Sequence, residues 1–354
     1  MPLLSHDRRV TIAHISDGPG VVSLPFMITT TALTSVCRPA VAAGLAAILA
    51  TGCAQATQTA RTTPSAPAEG AAPAAAATTT AAAGQPAAAP AAAAKTTMAK
   101  SADGTMIAWE KTGSGPALLL VHGGGQNRKS WAERGYVERL AKKFTVITMD
   151  VRGQGESGRP DTPEAYALDR MLEDITAVAD AAGATRFHLW GFGHGATIAR
   201  YLAARSDRVV SAVLVGADMG APLSGPVKDA VVAMKARWQP VLDQKKAGTL
   251  DMSKMSPGDR DAFNSGVAIQ AIALGALADY PPLEPSEIKV PTLWLLGAAD
   301  ESGLTQAKAY EGKLGGTQVT YKTVSGLSYS DSFARSEPIL AEVEPFLAST
   351  ASAS

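Results

Sequence analysis

Near residue 96 the chain settles into a regular pattern. From there on, short apolar runs alternate with longer stretches in which apolar residues recur every three to four positions. The runs lie at 105–109, 117–121, 145–149, 186–190, 209–215, 291–296 and 318–323, each of strand length. Several are apolar throughout, the pattern of strands buried on both faces of a parallel sheet. The amphipathic stretches 130–142, 164–182, 196–204, 305–314 and 338–347 predict helices. This alternation predicts an α/β domain over about residues 96–350, built on a mostly parallel, doubly wound sheet. Only 221–285 breaks the rhythm, because no strand pattern occurs there and helix-like pieces carry Met234, Trp238, Met252 and Met255. It predicts a helical lid whose underside is packed and whose adaptable apolar residues, Trp238 included, line a pocket.

Upstream of the domain the composition is different. Residues 54–95 are mainly alanine, proline and threonine, with prolines at Pro64, Pro67, Pro73, Pro86 and Pro90 breaking any helical alanine tract. So little apolar surface predicts a disordered linker. Before it, the apolar run 40–50 is too short to span a bilayer and follows a lone Arg38, as the core of an export signal does. Two exits are open within or just after 1–53. Gly52-Cys53 resembles the end of a bacterial lipobox, with Leu49 one position further out than that pattern prefers, and would make Cys53 a lipidated membrane tether. Ala54-Gln55-Ala56 fits an A-x-A site for ordinary cleavage and secretion.

Charge and cysteine content remove several functions. Lys plus Arg and Asp plus Glu are 32 each, so nothing in the charge balance points to nucleic acid. The two cysteines, Cys37 and Cys53, both precede the domain, which therefore has no disulfide, thiolate nucleophile or cysteine metal site.

Four motifs then follow in order. His122-Gly123-Gly124-Gly125 follows one strand run, and Asp150-Val151-Arg152-Gly153-Gln154-Gly155-Glu156-Ser157 follows the next. Leu189-Trp190-Gly191-Phe192-Gly193-His194-Gly195 joins a strand to a helix, and Leu295-Leu296-Gly297-Ala298-Ala299-Asp300 ends a late strand. Together they resemble the α/β-hydrolase family, most closely its small-esterase and haloperoxidase-like branch. The resemblance implies the α/β-hydrolase fold and a Ser, Asp or Glu, His triad in chain order.

Measured against that pattern, two triad members are replaced. The acid is in place as Asp300, the centre of the nucleophile elbow is Gly193, and the base position, in Gly326-Leu327-Ser328-Tyr329, is Tyr329. The histidines are His6, His14, His122, His188 and His194, so none follows the acid, however that loop is aligned. An unperturbed tyrosine titrates near 10 and is a poor base at neutral pH. The resemblance also implies an oxyanion hole from the backbone N–H of His194 and one from Gly123, Gly124 or Gly125, with His122 bracing that loop. His194 reads as structural before catalytic, and Ser330 and Asp331 as loop or helix-cap residues. The histidines and Asp300 do not form a ligand pattern, so no metal is expected, and no cofactor.

The expectation is an exported α/β-hydrolase-fold protein binding a small ester- or acyl-like ligand without efficient hydrolysis. Two alternatives stay open: an enzyme with different acid–base chemistry through Tyr329, His194 and Asp300, and a tethered protein-interaction module.

Overall fold

The computed structural model describes residues 95–351; the export segment, Cys53 and nearly all of the linker lie outside the described residues. Eight strands form one sheet in the order β1-β2-β4-β3-β5-β6-β7-β8. They are β1 Thr97–Lys100, β2 Met106–Thr112, β3 Ala117–Val121, β4 Thr145–Met149, β5 Phe187–Phe192, β6 Val209–Val215, β7 Thr292–Gly297 and β8 Val319–Val324. The first two pair antiparallel with each other, and β2 pairs antiparallel with β4; from β4 to β8 every pairing is parallel. This is the expected mostly parallel sheet with helices on both faces.

The central strands are apolar because both faces are covered. Every residue of β5 and β6 is buried. One face packs against α3 (Leu168–Ala181) and α4 (His194–Arg205), with Met171, Ile175 and Val178 of α3 at helical spacing in the core. The other face packs against α1 (Lys129–Glu133), α2 (Tyr136–Leu140) and the closing helix α10 (Ser336–Ala351). There Trp131, Tyr136, Trp190 and Phe333 meet edge to face or tilted, with centroids 4.9–5.6 Å apart. The remaining helices are α5 (Gly225–Lys246), α6 (Pro257–Asn264) and α7 (Val267–Ala276) in the insertion, then α8 (Glu301–Glu311) and the short α9 (Asp331–Ala334).

Two expectations need correction, and one strand was not expected. The stretch 130–142 is not one helix: Gly135, at φ +80°, separates α1 from α2. The stretch 164–182 opens as a single 3-10 turn, Pro163–Tyr166, before α3 begins. Strand β1 gave no signal, because it is four residues long and buries only Ala99. The insertion is helical as expected. It is closed at its root by an antiparallel bridge in which Gly220 N–H donates to Leu283 O (2.8 Å) and Leu283 N–H to Gly220 O (3.1 Å).

Candidate functional site

The site stands on the carboxyl edge of the sheet, where α/β folds gather ligands. His122 follows β3, Asp150 β4, Gly193 β5, Asp218 β6, Asp300 β7 and Tyr329 β8. Six strand ends therefore deliver one group each.

At the elbow, β5 turns directly into α4. Gly193 has φ +50° and ψ −114°, a backbone state that costs an L-residue strain and a glycine little. Its N–H donates to Val215 O at 2.9 Å, and its carbonyl accepts from Thr197 N–H at 2.9 Å. Gly195 has no room for a side chain, because Val121 O already lies where its Cβ would be. The strained strand-to-helix turn is thus fully built. Its centre carries no nucleophile.

Tyr329 fills the vacant position. A Cβ on Gly193 would collide with the Tyr329 hydroxyl, while Gly123 Cα would lie 3.8 Å away. The ring rests on Phe192 (centroids 5.2 Å apart) and over Gly216, whose Cβ would approach Tyr329 Cε2 to 3.0 Å. Over the whole residue Tyr329 is 38 % exposed, but its hydroxyl end is the part wedged against the elbow. Burial of that end, then the nearby charges of Asp300 and Asp218, push the phenol well above its usual range. Tyr329 is therefore a neutral O–H donor rather than a base. Its loop is pinned by Asp331, whose carboxylate accepts from Ser328 Oγ (2.6 Å) and Ser328 N–H (3.2 Å).

Two acids stand near that hydroxyl. Asp300 is buried, and its side chain caps α8 by accepting Gly303 N–H at 3.0 Å; burial raises its pKa. Asp218 was missed by the sequence reading. Burial first, opposed by Arg200 and reinforced by the Asp300 charge, pushes it up to about 6. Arg200, fully buried on α4, donates to the backbone carbonyl of Asp218. The available signal was Gly216-Ala217-Asp218 at the end of β6, an acid placed past its strand much as Asp300 is past β7.

The oxyanion loop is narrower than expected. Gly123 N–H donates to Gln126 Oε1 (2.9 Å) and Gly125 N–H to Gln154 Oε1 (2.7 Å). Of the three expected donors, Gly124 alone keeps its N–H unengaged among the described residues, opposite the first-turn N–H of His194. His122 braces the loop. Its Nε2 accepts from Val151 N–H (3.0 Å), which puts the proton on Nδ1, 2.8 Å from Gly123 O. Burial holds its pKa below the usual imidazole value.

The Asp150–Ser157 motif is scaffold rather than chemistry. Asp150 accepts Arg128 N–H (2.6 Å) and Glu156 N–H (2.7 Å) and pairs with the Arg128 guanidinium. Arg152 is buried between Asp174 and Asp103, and Ser157 Oγ bonds Asp150 O (2.7 Å). The loop after β4 is tied to the glycine loop by the two bonds already described, Gly125 N–H to Gln154 Oε1 and Val151 N–H to His122 Nε2.

From the insertion, α7 covers this loop. Gln270, Ala273 and Leu274 face Gly124, Gly125, Gln154 and His194 across a cavity of about 10 Å³. Trp238, expected in the pocket, is not brought there. It is buried against Phe263 of α6 with ring centroids 6.5 Å apart, so it holds the insertion together.

Strand order, a strained elbow and an acid after β7 define an α/β-hydrolase fold. Comparison with known proteins agrees: the family described as "alpha/beta hydrolase fold" matches residues 116–248. The chain is similar to a fluoroacetate dehalogenase of Burkholderia sp, 41% identical over 86 residues, 23% of this chain and 28% of that one. It is also similar to the N-formylmaleamate deformylase of Pseudomonas putida, 32% identical over 179 residues, 50% of this chain and 62% of that one. These matches span less than two thirds of either relative's length. Among solved structures, a bottromycin epimerase in complex with bottromycin A2 superposes with TM-score 0.52 at 25% identity, covering 70% of this chain and 98% of the other. The chain belongs to the α/β-hydrolase family.

Proposed function

We propose that this protein uses the α/β-hydrolase cleft to bind a small carbonyl-bearing ligand and does not turn it over through an acyl-enzyme. The reading rests on one observation: the Tyr329 hydroxyl occupies the place where a side chain on Gly193 would begin. Acyl transfer needs a nucleophile and a base on opposite sides of one proton. Here a single neutral phenol replaces both. The Gly124 and His194 N–H groups and the Tyr329 O–H are all donors, a set suited to a carbonyl oxygen. The helical insertion serves as the lid. The N-terminal segment exports the domain, and lipidation at Cys53 tethers it to the cell envelope.

The test is ester hydrolysis by the full-length chain. Wild-type protein is expected to accelerate p-nitrophenyl acetate hydrolysis by no more than about 10³–10⁴-fold over water, the residue left when a triad is removed. The double variant Gly193→Ser/Tyr329→His restores a nucleophile beside Asp300 and is expected to exceed wild type. Turnover of wild type at a rate typical of esterases, about 10 per second, overturns the proposal.

One observation favours a second reading, proton transfer next to a carbonyl. Asp218 titrates near neutrality close to a phenol held in its neutral form, the pairing of base and hydrogen-bond donor that enolisation needs. The bottromycin epimerase carries the same fold with an activity other than hydrolysis in its name. Deuterium exchange at the carbon beside a ligand carbonyl, lost in Asp218→Asn and in Tyr329→Phe, is the outcome this reading expects.

A further inference from the structure

The buried arginines of the domain are not alike. Arg128 and Arg152 each sit against carboxylates. Arg200, midway along α4 and equally buried, has no ion pair among the described residues, and its Nε has no partner. A guanidinium taken out of water without a counter-charge is costly. Its bonds go to neutral oxygens instead. Nη1–H donates to the backbone carbonyl of Asp218, and Nη2–H to Tyr201 Oη at 3.2 Å. Tyr201 Oη–H donates in turn to Pro281 O, and its ring centroid lies 4.9 Å from the guanidinium carbon. The charge is therefore fixed in one place, against the main chain of Asp218.

That place matters for the Asp218 side chain. Only two carbons separate a residue's backbone carbonyl from an aspartate carboxyl, so a charge bonded to the one stands within about 7 Å of the other. The Asp218 carboxylate takes no hydrogen bond among the described residues. The titratable groups around it are Arg200 from α4, Asp300 past β7, Tyr329 past β8 and, next to Arg200, Tyr310 of α8. Burial and the Asp300 charge oppose ionisation of Asp218, and Arg200 favours it. At an effective dielectric constant of about 20, a unit charge about 6 Å away changes an ionisation constant about a hundredfold. Burial pulls the Arg200 pKa below its usual value, but a guanidinium stays charged even so.

We propose that Arg200 is the positioning residue for the base of the cleft: it pins the Asp218 main chain and supplies the buried positive charge against which the Asp218 carboxyl ionises beside Asp300 and Tyr329. Its role rests on the reading of Asp218 as a base next to a ligand carbonyl, and it is what keeps that base usable. Arg200 touches no ligand. Without it, burial and Asp300 leave the Asp218 carboxyl protonated at neutral pH, where it accepts nothing. The missing ion pair is then explained as well, because the counter-charge of Arg200 exists only once Asp218 has given up its proton.

The full-length chain, labelled with ¹³C-aspartate, is titrated by NMR, with the Asp218 Cγ signal identified by its loss in Asp218→Asn. The wild-type midpoint is expected at about 6. Arg200→Met is expected to raise it, with the proton bound at least about tenfold more tightly. Arg200→Lys keeps the charge and is expected to lie closer to wild type than to Arg200→Met. An unchanged or lower midpoint in Arg200→Met overturns the proposal, as does a lysine variant that titrates like the methionine one. If Arg200→Met does not fold, wild type decides. The Arg200 ¹⁵Nε resonance is expected to move with the Asp218 midpoint and to stop doing so in Asp218→Asn; a resonance blind to that midpoint overturns the proposal. Deuterium exchange beside a ligand carbonyl is read separately. Its absence, with the midpoints as expected, defeats the proton-transfer reading and leaves the pairing of Arg200 with Asp218 standing.

Discussion

The hydroxyl of Tyr329 and the missing side chain of Gly193 share one position in space. A side chain at 193 has nowhere to go while Tyr329 is present. The two departures from the family pattern are thus one structural change.

Gly193→Ser alone is expected to destabilise the protein by about 1–3 kcal/mol, from the positive φ and the displaced phenol together. In Tyr329→Ala the same serine is expected to cost less, because only the backbone strain remains. A double-mutant cycle by urea denaturation measures the difference. Strict additivity would show that the residues do not compete for space.

Acid is expected to destabilise the domain through its buried imidazoles. His188 and His194 are both held at about 4 by burial, against 6.5 in the unfolded chain. The unfolded state therefore binds more protons between about pH 4 and 6.5, and the stability each neutral ring contributes is lost as pH falls through that window. A shift of this size corresponds to about 3 kcal/mol per group. His194→Phe is expected to flatten the stability profile there, as measured by denaturation at a series of pH values.

Asp218 runs the other way. Its pKa is raised to about 6, so the folded state holds the extra proton, and its contribution is lost as pH rises from 3.8 through 6. Asp218→Asn is expected to raise the melting temperature relative to wild type more at about pH 7.5 than at about pH 4. An equal change at both would mean that the carboxyl is solvated normally.

Asp150→Asn is expected to be among the most damaging substitutions outside the apolar core. It leaves the buried Arg128 guanidinium without its most buried carboxylate partner, with Glu110 and Glu156 remaining. Breaking a buried pair from one side costs about 3–5 kcal/mol. Denaturant midpoints of the variant and wild type provide the measurement.

Fractionation of the producing cells tests the tether. Cys53→Ala is expected to move the full-length protein from the membrane to the soluble fraction; unchanged partition would remove lipidation from the account.

Much of the fold was legible because buried parallel strands announce themselves. Three strands, β3, β4 and β6, fall at the limits their apolar runs mark. Gly193, Asp300 and Tyr329 were readable because motifs fix their places at strand ends. What the sequence concealed depends on distant partners. Gln154 holds Gly125 across 29 positions, and nothing in the spacing of either marks the bond. Asp218 sits in an ordinary strand-end context and becomes notable only beside Tyr329 and Asp300. Trp238 was misplaced because an aromatic on an amphipathic helix looks the same whether it faces a ligand or, as here, Phe263.

The bridge between Gly220 and Leu283 joins the two ends of the insertion before either reaches the sheet. What lies between them leaves and rejoins the body of the domain at one place, with side contacts such as Tyr280 Oη–H to Tyr166 O (2.8 Å). Exchanging its helices for those of a relative is expected to leave the register of β6 and β7 unchanged. On the proposed reading, ligand preference would reside in the insertion and the loss of acyl chemistry in the elbow, so the two properties would vary independently.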